Sequence, residues 1–290
     1  MKHVTVSRRS FLQTSLAAGG AAAMPGLRCG GPTGDYAGWN LCIATWGLRY
    51  SSGPEVAKIL KEVGAVYIDL VAPLDSIDST GKRDNSIKAY HENPATWQPL
   101  KDALQDNGIK LFQYDGGLTE DMDDNRKKME WAKAQGFKCI MCAPPYAALD
   151  GISRLVEEYD LYAGIHNHGP TDKLYKTTEQ CWNAIKDQHP NLGMCADVGH
   201  FWRAGVDPVN ALETFGDRVH NIHMKDQMEV GGKEQGIIGE GNMDIPALLR
   251  TLKKINYNGP MCIEYEMHPE NPVPGLKASL ANLREMCQAL

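Results

Sequence analysis

SRLVEEYDLYAGIHNHGP, residues 153–170, carries the pattern on which the fold turns. Its first half, Ser153 to Asp160, reads as an amphipathic helical stretch; the second opens with a short apolar run, LYAGIHN (161–167), and stops at a Gly-Pro break. A run of that length bounded by breakers predicts a strand, and alternate side chains of a strand share a face. His166 and His168 then point one way and Asn167 the other. Two readings follow: a metal ligand beside a substrate contact, or two hydrogen-bonded core histidines.

The same helix-then-strand rhythm extends in both directions from this stretch. After residue 38 the apolar runs are NLCIATW (40–46), AVYIDLVA (65–72), IKLFQYD (109–115), KCIMCAP (138–144), LYAGIHN, LGMCADV (192–198), RVHNIHMKD (218–226) and GPMCIEYE (259–266). Between them lie helix candidates such as PEVAKILKEVGA, DNRKKMEWAKAQGF, TEQCWNAIKDQHP and DIPALLRTLKKINYNG. Several begin on Pro, Asp or Thr and end at Gly, the residues that start and stop helices. Eight strands alternating with eight helices predict a parallel sheet with helical crossovers, and that count closes into an α/β (β/α)8 TIM barrel. A doubly wound open sheet is the alternative. No linker interrupts the pattern, so residues 38–290 are expected to form a single domain.

A barrel of this kind places its chemistry at the C-terminal ends of the strands. His166 ends the fifth run, Asp197 the sixth, His223 the seventh and Glu264 the eighth. The residues two positions earlier, Gly164, Cys195, Asn221 and Cys262, share their faces, and three of the four are small, as a crowded barrel interior requires. Two imidazoles and two carboxylates form a mixed nitrogen and oxygen donor set, which suits Mn, Zn, Co or Fe better than Ca or Mg. Burying Asp197 and Glu264 without a counter-charge is costly, and a divalent ion removes that cost.

The first thirty residues are a different kind of sequence. Lys2, Arg8, Arg9 and Arg28 are basic, no acid occurs, and LQTSLAAGGAAAMPG is small and weakly apolar. SRRSFLQ (7–13) resembles the twin-arginine export signal, so residues 1–30 are expected to be a targeting segment and the protein periplasmic or otherwise exported. Cleavage could follow Ala23. Cys29 raises the option of a lipid anchor, against which Arg28 directly before it speaks. Setting the segment's four positive charges aside from the formal charge of −6 leaves −10 for the remainder. An acidic body without a basic stripe disfavours a nucleic-acid partner on electrostatic grounds, and no membrane span is read. Of the eight cysteines, Cys42, Cys139, Cys195 and Cys262 lie in strand-like runs and read as small buried hydrophobes rather than disulfide partners. CIMC (139–142) has redox-motif spacing but sits inside a strand.

Several motifs in order at the strand ends carry a resemblance. CADVGHFWRAGVDP (195–208), HNIHMKD (220–226), GEGNMDIPALLRTL (239–252) and YNGPMCIEYE (257–266) are similar to the xylose isomerase-like TIM-barrel superfamily, often called sugar phosphate isomerases/epimerases. The resemblance covers most of residues 40–290. It implies a divalent metal in which Asp197, His223 and Glu264 match the family's Asp, His and Glu ligands. The strand-five ligand is commonly Glu in the family's epimerases, where it doubles as an acid or base; here His166 stands in its place. His200, in DVGH, matches a substrate-binding histidine, which in an endonuclease branch is a second-metal ligand.

Around this set, Lys225 would bring an ammonium to a substrate oxygen or a developing enolate, or pair with Asp226 as a surface salt bridge. His168 has three roles open to it: substrate hydrogen bonding, general base, or support of a ligand. Glu266 shares Glu264's face and is an alternative ligand. Trp46, Trp202 and Tyr114 could offer a sugar-stacking face, and Arg203 could meet an anion. GEGNMD (239–244) lacks the spacing of a phosphate loop and reads as a lead-in to Asp244 as a helix cap.

The chemistry expected is metal-dependent isomerisation or epimerisation of a sugar or keto-sugar through an enediolate, with Glu264 or His168 as base and a small-molecule carbohydrate as substrate. The same intermediate can instead expel a β-leaving group, giving a keto-glycoside lyase or hydratase. An abasic-site endonuclease is disfavoured by the charge and the export signal; a non-catalytic sugar-binding barrel is the remaining class.

Overall fold

A computed structural model describes residues 36–72, 74 and 88–290; the expected export segment, with Ala23 and Cys29, lies outside the described residues. Eight parallel strands close into a barrel: β1 (Leu41–Ala44), β2 (Tyr67–Leu70), β3 (Lys110–Asp115), β4 (Cys139–Cys142), β5 (Tyr162–His166), β6 (Leu192–Asp197), β7 (Val219–Met224) and, after a small hairpin of β8 (Asp226–Gln227) and β9 (Gln235–Gly236), β10 (Met261–Ile263). Each neighbours the next in sequence, and β10 returns to β1. All eight sequence-predicted runs supply a barrel strand, and every strand is shorter than its run.

The helices wrap this wall: α1 (Gly53–Glu62), α2 (Lys88–Glu92), α3 (Pro94–Asp106), α4 (Met122–Gln135), α5 (Leu149–Tyr159), α6 (Thr178–Ile185), α7 (Val198–Arg203), α8 (Pro208–Phe215), α9 (Ile245–Lys254) and α10 (Val273–Gln288). Their starts follow from local chemistry. Ser52 and Glu55 form a reciprocal capping box on α1, Thr177 and Gln180 do the same on α6, and Asp244 accepts from the Ala247 N–H to cap α9. On α1 the apolar residues Val56, Ala57 and Leu60 face inward while the charged ones face out. Among the described residues α2, α7 and the β8–β9 hairpin exceed the eight-helix, eight-strand expectation. The one-and-a-half turns of α7 begin directly on β6, because the Asp197 carboxylate that ends the strand accepts from the His200 N–H at 2.7 Å.

Two apolar layers result. The large one lies between strands and helices, built from side chains such as Leu60, Ile68, Ile140, Leu155, Ile222 and Leu249. A smaller cluster, Cys42, Ala44, Phe112, Cys139, Tyr162 and Cys262, is separate from it and comes from residues alternating toward the barrel axis. Space there is short. A Cβ on Gly164 would come within 2.9 Å of the Cys195 nitrogen, so only glycine fits at that level of β5. The seven described cysteines are all free and buried, which agrees with their reading as small hydrophobes.

Register sets the functional level. Asp197 pairs with His223, and His223 with Cys262, the neighbour but one of Glu264; His166 lies one step lower, against Cys195. Four strand ends therefore deliver their last inward side chains to one place at the C-terminal mouth.

Candidate metal centre

Ligand atoms of His166, Asp197, His223 and Glu264 all lie within 4.8 Å of one another, and all four residues are buried. His166 Nε2 is 3.1 Å from His223 Nδ1 and 3.6 Å from Asp197 Oδ2. His223 Nδ1 lies 2.9 Å from Glu264 Oε2 and 3.8 Å from Asp197 Oδ2. Asp197 Oδ2 and Glu264 Oε2, buried among these groups, accept no hydrogen bond of ordinary geometry. Acceptors left unsatisfied in a closed space are expensive. Two imidazoles and two carboxylates aimed at one point match the donor set that zinc, manganese, cobalt or iron accepts, so these residues fit a divalent ion.

Electrostatics separates the two imidazoles. Burial drives the His166 pKa down to about 4, against the pull of Asp197, so at neutral pH it is an uncharged ring with a free lone pair. For His223 burial acts downward too, but Cys195, Glu264 and the bond to Asp69 outweigh it and raise the pKa well above the ordinary value. Burial would likewise raise Asp197 and Glu264. Neighbouring His200, Lys225 and His166 hold Asp197 well below the usual carboxylate range, and Lys225 with His223 do the same for Glu264.

Behind the four stand residues the sequence reading did not single out. Asp69, fully buried on β2, accepts from His223 Nε2 at 2.8 Å, Asn221 Nδ2 at 2.8 Å and Gln113 Nε2 at 2.7 Å. That bond fixes the His223 proton on Nε2 and turns Nδ1 toward the centre. Asn167 clasps the Asp197 backbone from both sides, donating to its carbonyl at 2.9 Å and accepting from its N–H at 2.8 Å. Because β10 ends at Ile263, Gln235 on β9 stands in for a missing strand partner: its amide donates to the Glu264 carbonyl at 2.6 Å and accepts from the Glu266 N–H at 2.7 Å. Asp69 left a signal, a lone carboxylate inside the apolar run YIDL; strand alternation placed Asn167 opposite the histidines but gave no sign of its hold on Asp197, and Gln235 left no signal.

Lys225 is buried, and its Nζ lies 3.0 Å from Asp197 Oδ2 and 2.9 Å from Glu264 Oε2 while donating to Glu266. Its alternative partner by sequence, Asp226, is engaged elsewhere, accepting from the N–H groups of Gly239, Gly241 and Met243 and so fixing the GEGNMD loop. Glu266 therefore faces Lys225, and the compact four-residue group contains Glu264 instead. His200 Nε2 is 3.9 Å from Asp197 Oδ2; burial brings its pKa down to about 3, and Arg203 Nη1 donates to its Nδ1 at 3.1 Å. His168 lies at the rim with its side chain 51% exposed, its ring 4.7 Å from that of His166 and 5.4 Å from that of His200.

The aromatic candidates divide. Trp46 is 42% exposed just beyond β1, with the Arg49 guanidinium 5.5 Å from its ring. Tyr114 is not available for stacking at the mouth: Gln113 takes the inward position of β3, so Tyr114 alternates outward, where its hydroxyl donates to the Lys128 carbonyl at 3.1 Å among Trp131 and Phe137. Trp202 likewise packs against the main core.

The chain belongs to the xylose isomerase-like TIM barrel family, whose model matches residues 57–286. A twin-arginine translocation pathway signal matches residues 5–25, which supports export by that route, and no helix among the described residues is long and apolar enough to cross a membrane. An inosose dehydratase of Geobacillus kaustophilus is 27% identical over 153 residues, covering 46% of this chain and 49% of that one. The chain spans about half the length of the curated relatives it matches. Among solved structures, the IolI protein with a bound zinc atom is 17% identical at a TM-score of 0.64, over 85% of this chain and 98% of that one. A D-tagatose 3-epimerase-like protein is 18% identical at 0.65, over 86% and 98%. Identities this low show the shared fold.

Proposed function

We propose that the protein is a divalent-metal-dependent enzyme that removes the proton beside the carbonyl of a sugar or keto-sugar, working in the periplasm. The observation that carries this reading is the convergence of His166, Asp197, His223 and Glu264, with the Lys225 ammonium against them. When bound there, a divalent ion would polarise the substrate carbonyl and make the neighbouring C–H bond more acidic. Lys225 supplies a positive charge to the enolate oxygen as it develops. Glu264, with Glu266 beside it on the β10 side, or His168 at the rim is the base. His168 and His200 stand on the β5 and β6 side. His200, uncharged because its pKa lies near 3, donates a hydrogen bond and does not ionise a substrate hydroxyl. Arg203 orients His200, and Trp46 offers an exposed ring for the sugar's apolar face.

The family resemblance supports isomerisation or epimerisation, in which the proton returns to the same or the adjacent carbon. One feature favours elimination instead. His166 stands where the family's epimerases commonly have a second carboxylate, so Glu264 and Glu266 at the end of β10 face no carboxylate base at the end of β5, where His166 and His168 stand. That asymmetry suits a reaction in which a base on one side takes the α-proton while the β C–O bond breaks and the leaving oxygen takes a proton on the other, delivered by His168 at the rim or by water beside it. The conjugated keto-alkene that results can be hydrated by the reverse steps. The dehydratase among the relatives is consistent with this outcome.

Incubation of metal-loaded protein with keto-glycosides in deuterated water separates the two. Loss of the aglycone supports elimination; deuterium at the α-carbon of an intact glycoside supports isomerisation or epimerisation; neither change overturns the enolisation reading.

A further inference from the structure

Asp197 Oδ2 and Glu264 Oε2 are the oxygens that face His166 and His223 at the centre, and they are also the oxygens that Lys225 Nζ approaches at 3.0 and 2.9 Å. The three contacts of the ammonium are unequal. Toward Glu266 it forms a directed hydrogen bond, whereas Asp197 Oδ2 and Glu264 Oε2 lie off that direction at 3.0 and 2.9 Å and feel chiefly its charge. The stem is also guided. A Cβ on Gly199, in α7, would come within 3.0 Å of Lys225 Cδ and 3.1 Å of its Cβ, so the glycine of DVGH leaves the space through which the side chain reaches the carboxylates.

We infer that Lys225 is a built-in counter-cation of the metal centre, a reading that rests on the metal site proposed above. Before loading, its ammonium balances two buried carboxylates that would otherwise repel one another, so the chain reaches its final shape, and can be exported folded, without an ion. Loading sets two cations against the same two oxygens. The ammonium then gives those oxygens up and keeps Glu266, which turns it toward the substrate side of the mouth. Lys225 thus lowers affinity for the ion and couples loading to its own placement for the reaction.

The test uses full-length protein stripped by chelator dialysis, titrated with Zn2+ and Mn2+ by calorimetry, with thermal unfolding of the stripped and loaded forms. Lys225→Met is expected to melt lower than wild type when stripped, yet to bind Zn2+ about tenfold or more tightly, because a cation that competes for the same two oxygens is gone. Glu266→Gln is expected to act in the opposite direction, weakening Zn2+ binding several-fold, since the ammonium loses its other anchor and stays on the ligand oxygens. This second variant carries the test if Lys225→Met does not fold. Unchanged or weaker binding in Lys225→Met, or unchanged or tighter binding in Glu266→Gln, overturns the inference while leaving the metal site standing. A wild-type protein that binds neither ion overturns the metal site and this inference together.

Discussion

Strand β7 presents a basic pair at each end, and the two pairs behave oppositely. Arg218 and His220 at its start are buried, as are His223 and Lys225 at its finish. At the start the partners are neutral. Arg218 Nη2 meets the carbonyls of Leu192 and Ile185 at 2.6 and 2.7 Å, and His220 Nε2 meets that of Pro190 at 3.0 Å. Burial, reinforced by Arg218, takes the His220 pKa down to about 3. At the finish Asp69, Asp197, Glu264 and Glu266 supply anions, and their charge overrides burial to raise both His223 and Lys225. A buried histidine is thus no indicator of function by itself. An excess of buried acceptors around it is.

The comparison breaks most sharply at Asp197. Asp197→Ala should abolish ion uptake and lower turnover by about a thousandfold or more, because several kcal/mol of charge stabilisation depends on the ion; metal analysis and steady-state rates report both. Asp69→Asn leaves every proposed ligand in place but loosens the His223 tautomer, and should weaken metal affinity by about 10- to 100-fold, read by competition with a chromophoric chelator. His166→Glu trades one donor for another. It should hold the ion within about tenfold of wild type while moving product from β-elimination toward α-carbon exchange, detected by deuterium incorporation. The smallest effect on the centre belongs to the other end of β7: His220→Leu should lower unfolding free energy by about 1–3 kcal/mol and leave Zn2+ binding as it is.

Strand ends were legible in the sequence because three of the four proposed ligands close an apolar run: His166 after YAGI, Asp197 after LGMCA, Glu264 after MCI. Eight such runs were enough for the barrel, since parallel strands buried on both faces leave a continuous hydrophobic signature. What stayed hidden depends on three-dimensional reach. Gln235 buttresses Glu264 from a two-residue strand that no periodicity marks. Tyr114 and Gln113 are neighbours whose faces depend on the register of β3 with β2 and β4, and β3 shifts register against β2 between Ile68 and Asp69. Lys225 was visible as a basic residue near the centre, but its choice of Glu266 over Asp226 is decided by a loop whose three N–H groups claim Asp226 first.

The central claim is that four strand ends hold one divalent ion, and metal analysis of the purified protein tests it most directly. One equivalent of zinc, manganese, cobalt or iron per chain, lost in Asp197→Ala and kept in His220→Leu, is the result predicted. A wild-type protein with no stoichiometric metal, or one whose metal content is the same in both variants, would contradict it.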